Sequence, residues 1–293
     1  MKKRFIALVL VLVIGSMLIS CGEDKNNLKE DNTISNENQV KKVSVTLSNI
    51  TNKKMEEGIK NLLVNNGISE ENVDTYIKYI NDYNERVEDK SELKEGFVTV
   101  DSINGLYDPV SLREKKLEDG RSLSEINCRL SAFELFKGFI TTKGEIESDN
   151  YLMFDIDAID SNPILAFNKE DKEKYINLFN PVDIGDTKEP EKIIELIKDE
   201  LNKREVNIDN NGKVSLINIY INDEFENKMF VGHSVVMIES NGEYIVLEKF
   251  SSIDPFQISK FSTIEEVRKY LLSRNDIYGS EIKPIILINN EEF

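Results

Sequence analysis

The sequence predicts an α+β fold from three observations. Residues 51 to about 205 place apolar side chains three or four positions apart, which is the period of an amphipathic helix. Three segments after residue 206 are rich in β-branched and aromatic residues, which favours strands. An Asn-Gly pair separates the last two of these segments and predicts a hairpin. We therefore expect N-terminal helices followed by an antiparallel sheet.

The first three helices can be read in chain order. "TNKKMEEGIKNLLVNNG" predicts a helix that ends at Gly67, and "SEENVDTYIKYINDYNERV" predicts a second one capped by Ser69. A short strand and a loop are expected in "EGFVTVDSINGLYDPVSL". The third helix lies in "SLSEINCRLSAFELFKGFI", where Ser122 with Glu125, or Ser124 alone, can cap its N-terminus.

The remaining elements complete the α+β pattern. "NYLMFDIDAI" predicts a strand, and "KEDKEKYINLF" and "EPEKIIELIKDELNKR" predict two acidic helices, the second with Pro190 in its first turn. "KVSLINIYI", "MFVGHSVVMIE" and "EYIVLEKF" predict strands, and Asn241-Gly242 joins the last two. "STIEEVRKYLL" predicts a helix with Ser262 and Glu265 as its capping box, and "KPIILI" predicts a final strand.

The first twenty residues have the features of a secretion signal. A basic start at residues 2–4 precedes an apolar run, and "LISC" then resembles the lipobox of bacterial lipoproteins. We expect cleavage before Cys21 and attachment of lipid, including palmitate, to its thiol. An uncleaved membrane anchor is the alternative. The expected location is the cell membrane, with the protein lipid-anchored on the extracytoplasmic face.

The signal sets the predicted domain organisation. Residues 1–20 are the signal peptide, and residues 21–44, which are polar and nearly without apolar positions, form a disordered tether. Residues 45–293 form a single α+β domain, with a helical N-terminal part over 45–205 and a sheet-rich C-terminal part over 206–293.

The composition argues against several classes of function. The net charge is −17, and because the first twenty residues carry three positive charges and no negative ones, the chain from Cys21 onward stands at −20. Such a surface repels phosphate backbones, so we expect no nucleic-acid partner. No spacing typical of a metal site and no phosphate-binding glycine loop is present, so we expect neither a metal nor a cofactor.

One cysteine and one histidine stand out. Cys128 is the only cysteine besides Cys21, and His233 is the only histidine, 105 residues downstream. A helix start or a nearby imidazolium stabilises a thiolate, so the pair can form a nucleophile and its base. Glu248 on the next strand can orient the ring. We expect His233 to share one strand face with Met229, Val231, Val235 and Met237.

The alternative is that both residues are structural. A lone cysteine in an apolar helix is commonly a small buried hydrophobe, and a lone histidine beside a strand is commonly a packing residue. The residues of the chain alone leave both interpretations open.

A helix-start cysteine, a strand histidine and a polar residue on the next strand resemble the order of papain-like thiol hydrolases, including cell-wall peptidases of the NlpC type. "GHSVVMIESNGEYIVLE" is similar to their histidine strand, turn and next strand. The resemblance implies a papain-like (NlpC-like) arrangement. Asn127 or Gln257 would then donate to the oxyanion, and Arg129 would be a supporting residue.

A second resemblance covers most of residues 45–293. Asn127-Cys128-Arg129, Gly232-His233, Glu248-Lys249 and Pro255-Phe256-Gln257 resemble motifs of a Gram-positive lipoprotein family known as domain of unknown function 4300. That family name carries no activity.

Two functions are therefore expected as alternatives. The first is a surface-anchored cysteine hydrolase or acyl-transfer enzyme that acts on amides of cell-wall peptides or surface proteins. The second is a non-catalytic envelope lipoprotein that binds a ligand or a protein partner. In both cases the lipid on Cys21 makes the membrane a partner.

Overall fold

The computed structural model describes residues 43–108, 110–112, 114–115, 121, 125–144 and 146–293. All of them fall within one compact unit. The predicted signal peptide, Cys21, nearly all of the predicted tether and the predicted caps Ser122 and Ser124 lie outside the described residues. In the part of the chain that is described, no helix is long and apolar enough to span a bilayer.

Seven α-helices combine with antiparallel sheet in the described residues, so the predicted α+β class is confirmed. The helices are α1 Lys53–Asn65, α2 Glu70–Arg86, α3 Cys128–Phe136, α4 Met153–Ser161, α5 Lys169–Phe179, α6 Pro190–Lys203 and α7 Ile264–Leu271. The predictions of α1, α2, α5 and α6 are confirmed, with Ser69 capping α2 and Pro190 beginning α6.

The main sheet has nine strands and runs in the order β11-β10-β6-β7-β8-β9-β1-β2, with β4 paired to β7. β3 and β5 form a separate two-stranded sheet. The strands are β1 Val45–Asn49, β2 Val98–Val100, β3 Ile140–Thr141, β4 Val182–Asp183, β5 Asn207–Ile208, β6 Val214–Asp223, β7 Lys228–Ser240, β8 Glu243–Lys249, β9 Phe256–Phe261, β10 Ile285–Ile288 and β11 Glu291–Glu292.

The predicted hairpin between β7 and β8 is confirmed. Asn241 and Gly242 both have positive φ, 54° and 79°, which is the conformation that a two-residue hairpin turn requires. The ladder beyond the turn keeps register from Ser240 opposite Glu243 to Val236 opposite Leu247. Strands β7 and β8 therefore leave the turn as a tight antiparallel pair.

The segment "NYLMFDIDAI" is helical, so its prediction as a strand is wrong. A short 3-10 turn at Asn150–Leu152 leads directly into α4. The Asp149 side chain accepts the N–H of Tyr151 and so starts the turn. The buried residues Asp155, Ala158 and Ile159 follow a spacing of three and one, which suits one face of a helix.

Two predicted caps are also wrong, each for a local reason. Asn127, rather than Ser122 or Ser124, caps α3 by accepting the N–H of Leu130, so Cys128 is the first residue of the helix. Thr263, rather than Ser262, caps α7 by accepting the N–H of Glu266. In both cases a cap residue closer to the helix replaces the predicted one.

Strands β1 and β9 were not predicted, and they pair with each other. β1 comes from the part of the chain predicted to be helical, and it joins the sheet between β9 and β2. Both are short. β1 is buried at four of its five positions and β9 at five of six, so neither shows the alternation of a half-exposed strand.

The sheet has a hydrophobic cluster on each face. Val236 and Ile238 of β7 pack in the cluster that includes α1 to α6, whereas Val235 and Met237 pack in the cluster that includes α7. Successive side chains of a strand point to opposite faces, which explains this division. Helix α3 lies on the first face, against β7 and β8.

A β-bulge at Gly232 decides where His233 points. Tyr220 of β6 pairs with Val231, but the next residue back, Ile219, pairs with His233, so Gly232 is an extra residue in β7. Met229 and Val231 therefore pack with α1 to α6, while Val235 and Met237 pack with α7. The expectation of one shared face for these residues is wrong, because the bulge switches the face between Val231 and His233.

Candidate active site

Cys128 is the first residue of helix α3, so its thiol lies at the helix N-terminus. Asn127 caps the helix from the preceding position. The first N–H groups of a helix carry partial positive charge, which favours a thiolate at this point. Cys128 is 7 % exposed, and it is a free cysteine among the described residues.

The imidazole of His233 lies against this thiol. The Cys128 Sγ is 3.9 Å from the carbonyl oxygen of Gly232, the bulge residue next to His233, and the side chain of His233 lowers the pKa of the thiol. His233 Nε2 is 2.6 Å from Glu248 Oε2, which leaves Nδ1 as the ring nitrogen available to the thiol. The structure thus places Cys128 beside His233, whose imidazole is hydrogen-bonded to Glu248.

The surroundings of Cys128 favour its ionised form. Burial raises the pKa of the thiol, but the charge and hydrogen bond of His233 act in the opposite direction. The Arg129 guanidinium and the backbone N–H of Ser234 add to this effect, and together these groups lower the pKa from 9.0 to about 7. A thiol with that pKa is substantially a nucleophilic thiolate at neutral pH.

The pKa values of His233 and Glu248 are shifted in directions that match the lowered pKa of Cys128. Burial and the Arg274 guanidinium both lower the pKa of His233, but Cys128 and the hydrogen bond to Glu248 raise it by more. For Glu248, burial raises the pKa, whereas His233, Arg274 and Tyr270 lower it further than burial raises it. An imidazolium held between a thiolate and a carboxylate explains all these directions.

Glu248 is 1 % exposed and its carboxylate is surrounded by donors. Tyr270 of α7 donates its hydroxyl to Oε1, and Gln257 Nε2 lies 3.4 Å from the same oxygen. Gln257 Nε2 is also 2.9 Å from the Tyr270 hydroxyl, and Tyr107 donates to its Oε1 at 2.8 Å. The structure therefore places Gln257 in the shell that holds Glu248.

Asn127 and Arg129, on either side of Cys128, bind one buried carboxylate, that of Asp155 on α4. Asn127 donates to Oδ1, and Arg129 donates to Oδ2 through Nε at 2.7 Å and Nη2 at 2.6 Å. Tyr175 of α5 donates to Oδ2 at 2.6 Å. Asp155 is 1 % exposed, so this cluster ties the first turn of α3 to two other helices.

Arg129 also ties α3 to the bulged strand. Its Nη1 donates to the carbonyl of Val231 at 2.8 Å, next to the bulge residue Gly232. The guanidinium is thus held at one end by Asp155 and at the other by β7. Arg129 therefore joins the first turn of α3, which carries Cys128, to the strand that carries His233.

Lys249, the residue after Glu248, is buried nearby. Burial lowers its pKa to about 7, although Asp254, Cys128 and Glu114 act to raise it. Its Nζ donates to the carbonyls of Ser251, Ser252 and Asp254 at 3.2, 2.7 and 3.1 Å. Three acceptors match the three protons of an ammonium, so these contacts fix the turn between β8 and β9.

Sequence reasoning did not find Asp155, Tyr270 or Arg274. Asp155 lies in the segment predicted to be a strand, where a buried carboxylate has no obvious partner. In the sequence it stands in "DIDAID", where nothing separates it from the neighbouring aspartates, which are exposed in the structure. Tyr270 and Arg274 come from α7 and the turn after it, and nothing in their spacing links them to a histidine some 40 residues earlier.

The described residues contain no group of three or more histidine, cysteine, aspartate or glutamate side chains placed to hold a metal ion. What the site holds instead is a thiol, a base and a carboxylate in sequence. The thiol can attack an electrophilic carbon, and the imidazole can carry the proton between thiol and leaving group.

Comparison with known families gives one match. Residues 46–293 match the family described as Domain of unknown function (DUF4300), so the chain belongs to that family. No curated protein matches the chain, and no solved structure matches it.

Proposed function

We propose that the protein is a cysteine hydrolase or acyl-transfer enzyme that acts on amides through Cys128, with His233 as the base and Glu248 as the group that orients the imidazole. The observation that carries this proposal is the position of the Cys128 thiol, 3.9 Å from the carbonyl oxygen of Gly232 and next to His233, whose imidazole is 2.6 Å from the buried Glu248 carboxylate and lowers the pKa of the thiol. Such an order activates a nucleophile and fixes its base. It also supports the papain-like order of elements expected from the sequence.

The reaction would proceed in two steps. Cys128 Sγ attacks the amide carbonyl carbon while its proton passes to His233, and the imidazolium then protonates the departing amine as the C–N bond breaks. The thioester that remains is attacked by water, or by an acceptor amine, whose proton goes to the imidazole. Release of the acid or new amide returns the proton to Cys128.

The oxyanion needs donors in both steps. The Asn127 amide nitrogen donates to Asp155, and the Gln257 amide is held by Glu248 and Tyr270, so each amide already has partners. The first N–H groups of α3 need no partner within the helix. We assign the oxyanion to these backbone donors rather than to the two side chains.

The substrate class follows from location. The signal and lipobox expected from the sequence would anchor the protein to the outer face of the membrane through Cys21, which makes cell-wall peptides and surface proteins the amides within reach. The acidic chain argues against nucleic acid.

The test is cleavage or transfer with defined peptides. The protein is incubated with solubilised cell-wall peptides and with a library of surface-protein peptides, and products are followed by mass spectrometry. Wild type should cleave or transfer at least one amide, and Cys128→Ala and Cys128→Ser should not. Equal product formation by wild type and Cys128→Ala would reject the proposal.

One observation favours the second function, a non-catalytic envelope lipoprotein. Cys128 is 7 % exposed and His233 is 2 % exposed, so neither side chain meets bulk solvent in this structure. In that case the pair would be a buried polar contact that stabilises the packing of α3 on β7. Cys128→Ala would then lower the melting temperature without removing any activity, and the thiol would react no faster than a cysteine in the denatured chain.

A further inference from the structure

Arg274 lies behind the His233–Glu248 pair, in the turn after α7. Its guanidinium rests on the ring of Phe250, with Cζ 4.4 Å from the ring centroid, and Nη2 donates to the Phe250 carbonyl at 2.8 Å. Nη1 is 3.4 Å from Glu248 Oε2 and also 3.4 Å from His233 Nε2. A buried cation therefore faces the hydrogen bond between the imidazole and its carboxylate.

The two contacts of Nη1 have opposite electrostatic effects: the one with Glu248 is attractive, and the one with a protonated His233 is repulsive. A guanidinium has only donors, so it attracts Glu248 but cannot accept a proton from His233 Nε2, which itself donates to Glu248 when the ring is protonated. Two cations this close and this deeply buried repel each other. Arg274 thus stabilises the carboxylate and disfavours the imidazolium.

Asp276 holds the opposite edge of the same guanidinium. Arg274 Nε donates to Asp276 Oδ1 at 3.0 Å and Nη2 donates to Oδ2 at 2.7 Å, a bidentate ion pair. The Asp276 side chain is 59 % exposed, whereas that of Arg274 is 2 % exposed. A surface carboxylate therefore neutralises part of a charge that acts on the buried site.

Other charged or titratable groups act on the same centre and must be counted with Arg274. They come from α3, β8, α7 and the turn after it: Cys128, Arg129, Glu248, Lys249, Tyr270 and Asp276. Glu248 and the ionised Cys128 favour the imidazolium. Among the cations, Arg274 is the one within 3.4 Å of the imidazole.

We propose that Arg274 is a positioning residue that limits the positive charge that His233 holds, and that Asp276 sets the strength of this limit. The inference rests on the proposed nucleophilic function of Cys128. Without such a limit, a histidine between a thiolate and a buried carboxylate would keep its proton. With the limit, the imidazolium can give the proton to the departing amine.

The test is the pH at which Cys128 becomes half ionised, measured from the rate of its alkylation by iodoacetamide across pH and followed by mass spectrometry of the peptide that contains it. Asp276→Asn leaves the Arg274 charge less compensated, so the midpoint should rise by about half a pH unit, which is a threefold lower thiolate-to-thiol ratio. Arg274→Gln removes the cation that repels the imidazolium and leaves the imidazolium as the main counter-charge of Glu248. His233 should then hold its proton more firmly and favour the thiolate, so the midpoint should fall. Arg274→Lys keeps the charge and should stay near the wild-type midpoint.

A matched control is Glu200→Gln. Glu200 also pairs with a buried arginine, Arg204, but that guanidinium holds the carbonyls of residues 177, 180 and 181 instead of facing the histidine. The control should leave the midpoint unchanged. If Arg274→Gln fails to fold, Asp276→Asn decides alone, since its side chain is at the surface.

Opposite shifts in Asp276→Asn and Arg274→Gln support the inference, because a purely structural role gives no reason for opposite signs. Unchanged midpoints, or shifts in the same direction, would overturn it. If the wild-type midpoint depends on His233 while the Asp276 variant behaves as wild type, only this inference fails. If His233→Ala leaves the wild-type midpoint in place, the proposed function fails and this inference fails with it.

Discussion

Replacing His233 with alanine should make Cys128 far less reactive at neutral pH. In the native protein the imidazole, with help from Arg129 and the Ser234 N–H, outweighs the burial of the thiol and lowers its pKa to about 7, so about half of the molecules carry a thiolate at pH 7. Without the imidazole, burial raises the pKa and only Arg129 and the Ser234 N–H still lower it, so we expect the pKa to return to about the ordinary 9.0. The thiolate fraction at pH 7 then falls to about one per cent, roughly a fifty-fold loss.

The assay is the second-order rate of iodoacetamide alkylation at pH 7, assigned to Cys128 by peptide mapping. Ser234→Ala is the matched control, because Ser234 follows His233 on the same strand and its hydroxyl bonds to Asn218 instead of the thiol. Circular dichroism establishes that both variants are folded. A rate for folded His233→Ala within twofold of wild type would show that the imidazole does not activate the thiol.

Three further changes test the shell around the site. Glu248→Gln removes the counter-charge 2.6 Å from the imidazole, so thiol alkylation at pH 7 should fall about fivefold for a one-unit rise in the pKa of the thiol. An unchanged rate would argue against an orienting carboxylate. Asp155→Asn breaks a buried ion pair and should lower the free energy of unfolding, measured by urea denaturation, by about 3–5 kcal/mol. The control Asp157→Asn, exposed on the same helix, should change it by less than about 0.5 kcal/mol. Equal losses in the two variants would show that the Asp155 ion pair does not stabilise the fold. Gly232→Ala places a Cβ 2.5 Å from Ile221 Cδ1, so it should lower the free energy of unfolding by about 1–3 kcal/mol. Adding Ile221→Ala to the same chain removes the clash and should recover part of this loss. A double variant that is less stable than Gly232→Ala alone would contradict the steric cause.

The helices with clear apolar periodicity could be predicted from the sequence, and so could the hairpin. Helix α6 illustrates the first case, because Ile193, Ile197 and Leu201 recur every four residues and all are buried. The Asn241-Gly242 pair illustrates the second, since a two-residue turn needs two positive φ angles. These patterns depend only on residues close together in the chain, so they can be recognised without the tertiary structure.

Other elements depended on contacts that no local pattern carries. The local pattern of α4 predicts a strand, whereas the partners of its buried Asp155 lie on α3 and α5, far along the chain. Strand β1 is stabilised by pairing with β9, more than 200 residues later. Long-range pairing of this kind overrides the weak preference of a short segment.

The candidate site divides in the same way. Cys128 and His233 stood out because each is nearly unique in the chain, and Glu248 because the hairpin places it on the next strand. The bulge at Gly232 reversed the predicted face of the histidine, since a single extra residue changes the parity of a strand. Arg274 and Asp155 came only with the structure, because burial of a charge is a property of the folded chain.

The proposed function requires Cys128 to be an activated thiol in the native protein. The most direct measurement is the pH dependence of Cys128 alkylation in the unaltered chain, from about pH 5 to pH 10. For an activated thiol the rate should rise through a midpoint near pH 7 and level off above it, because the thiolate is then fully formed. A rate that stays flat to pH 8 and rises only through pH 9 or above would show that Cys128 is an ordinary buried thiol and not an activated nucleophile.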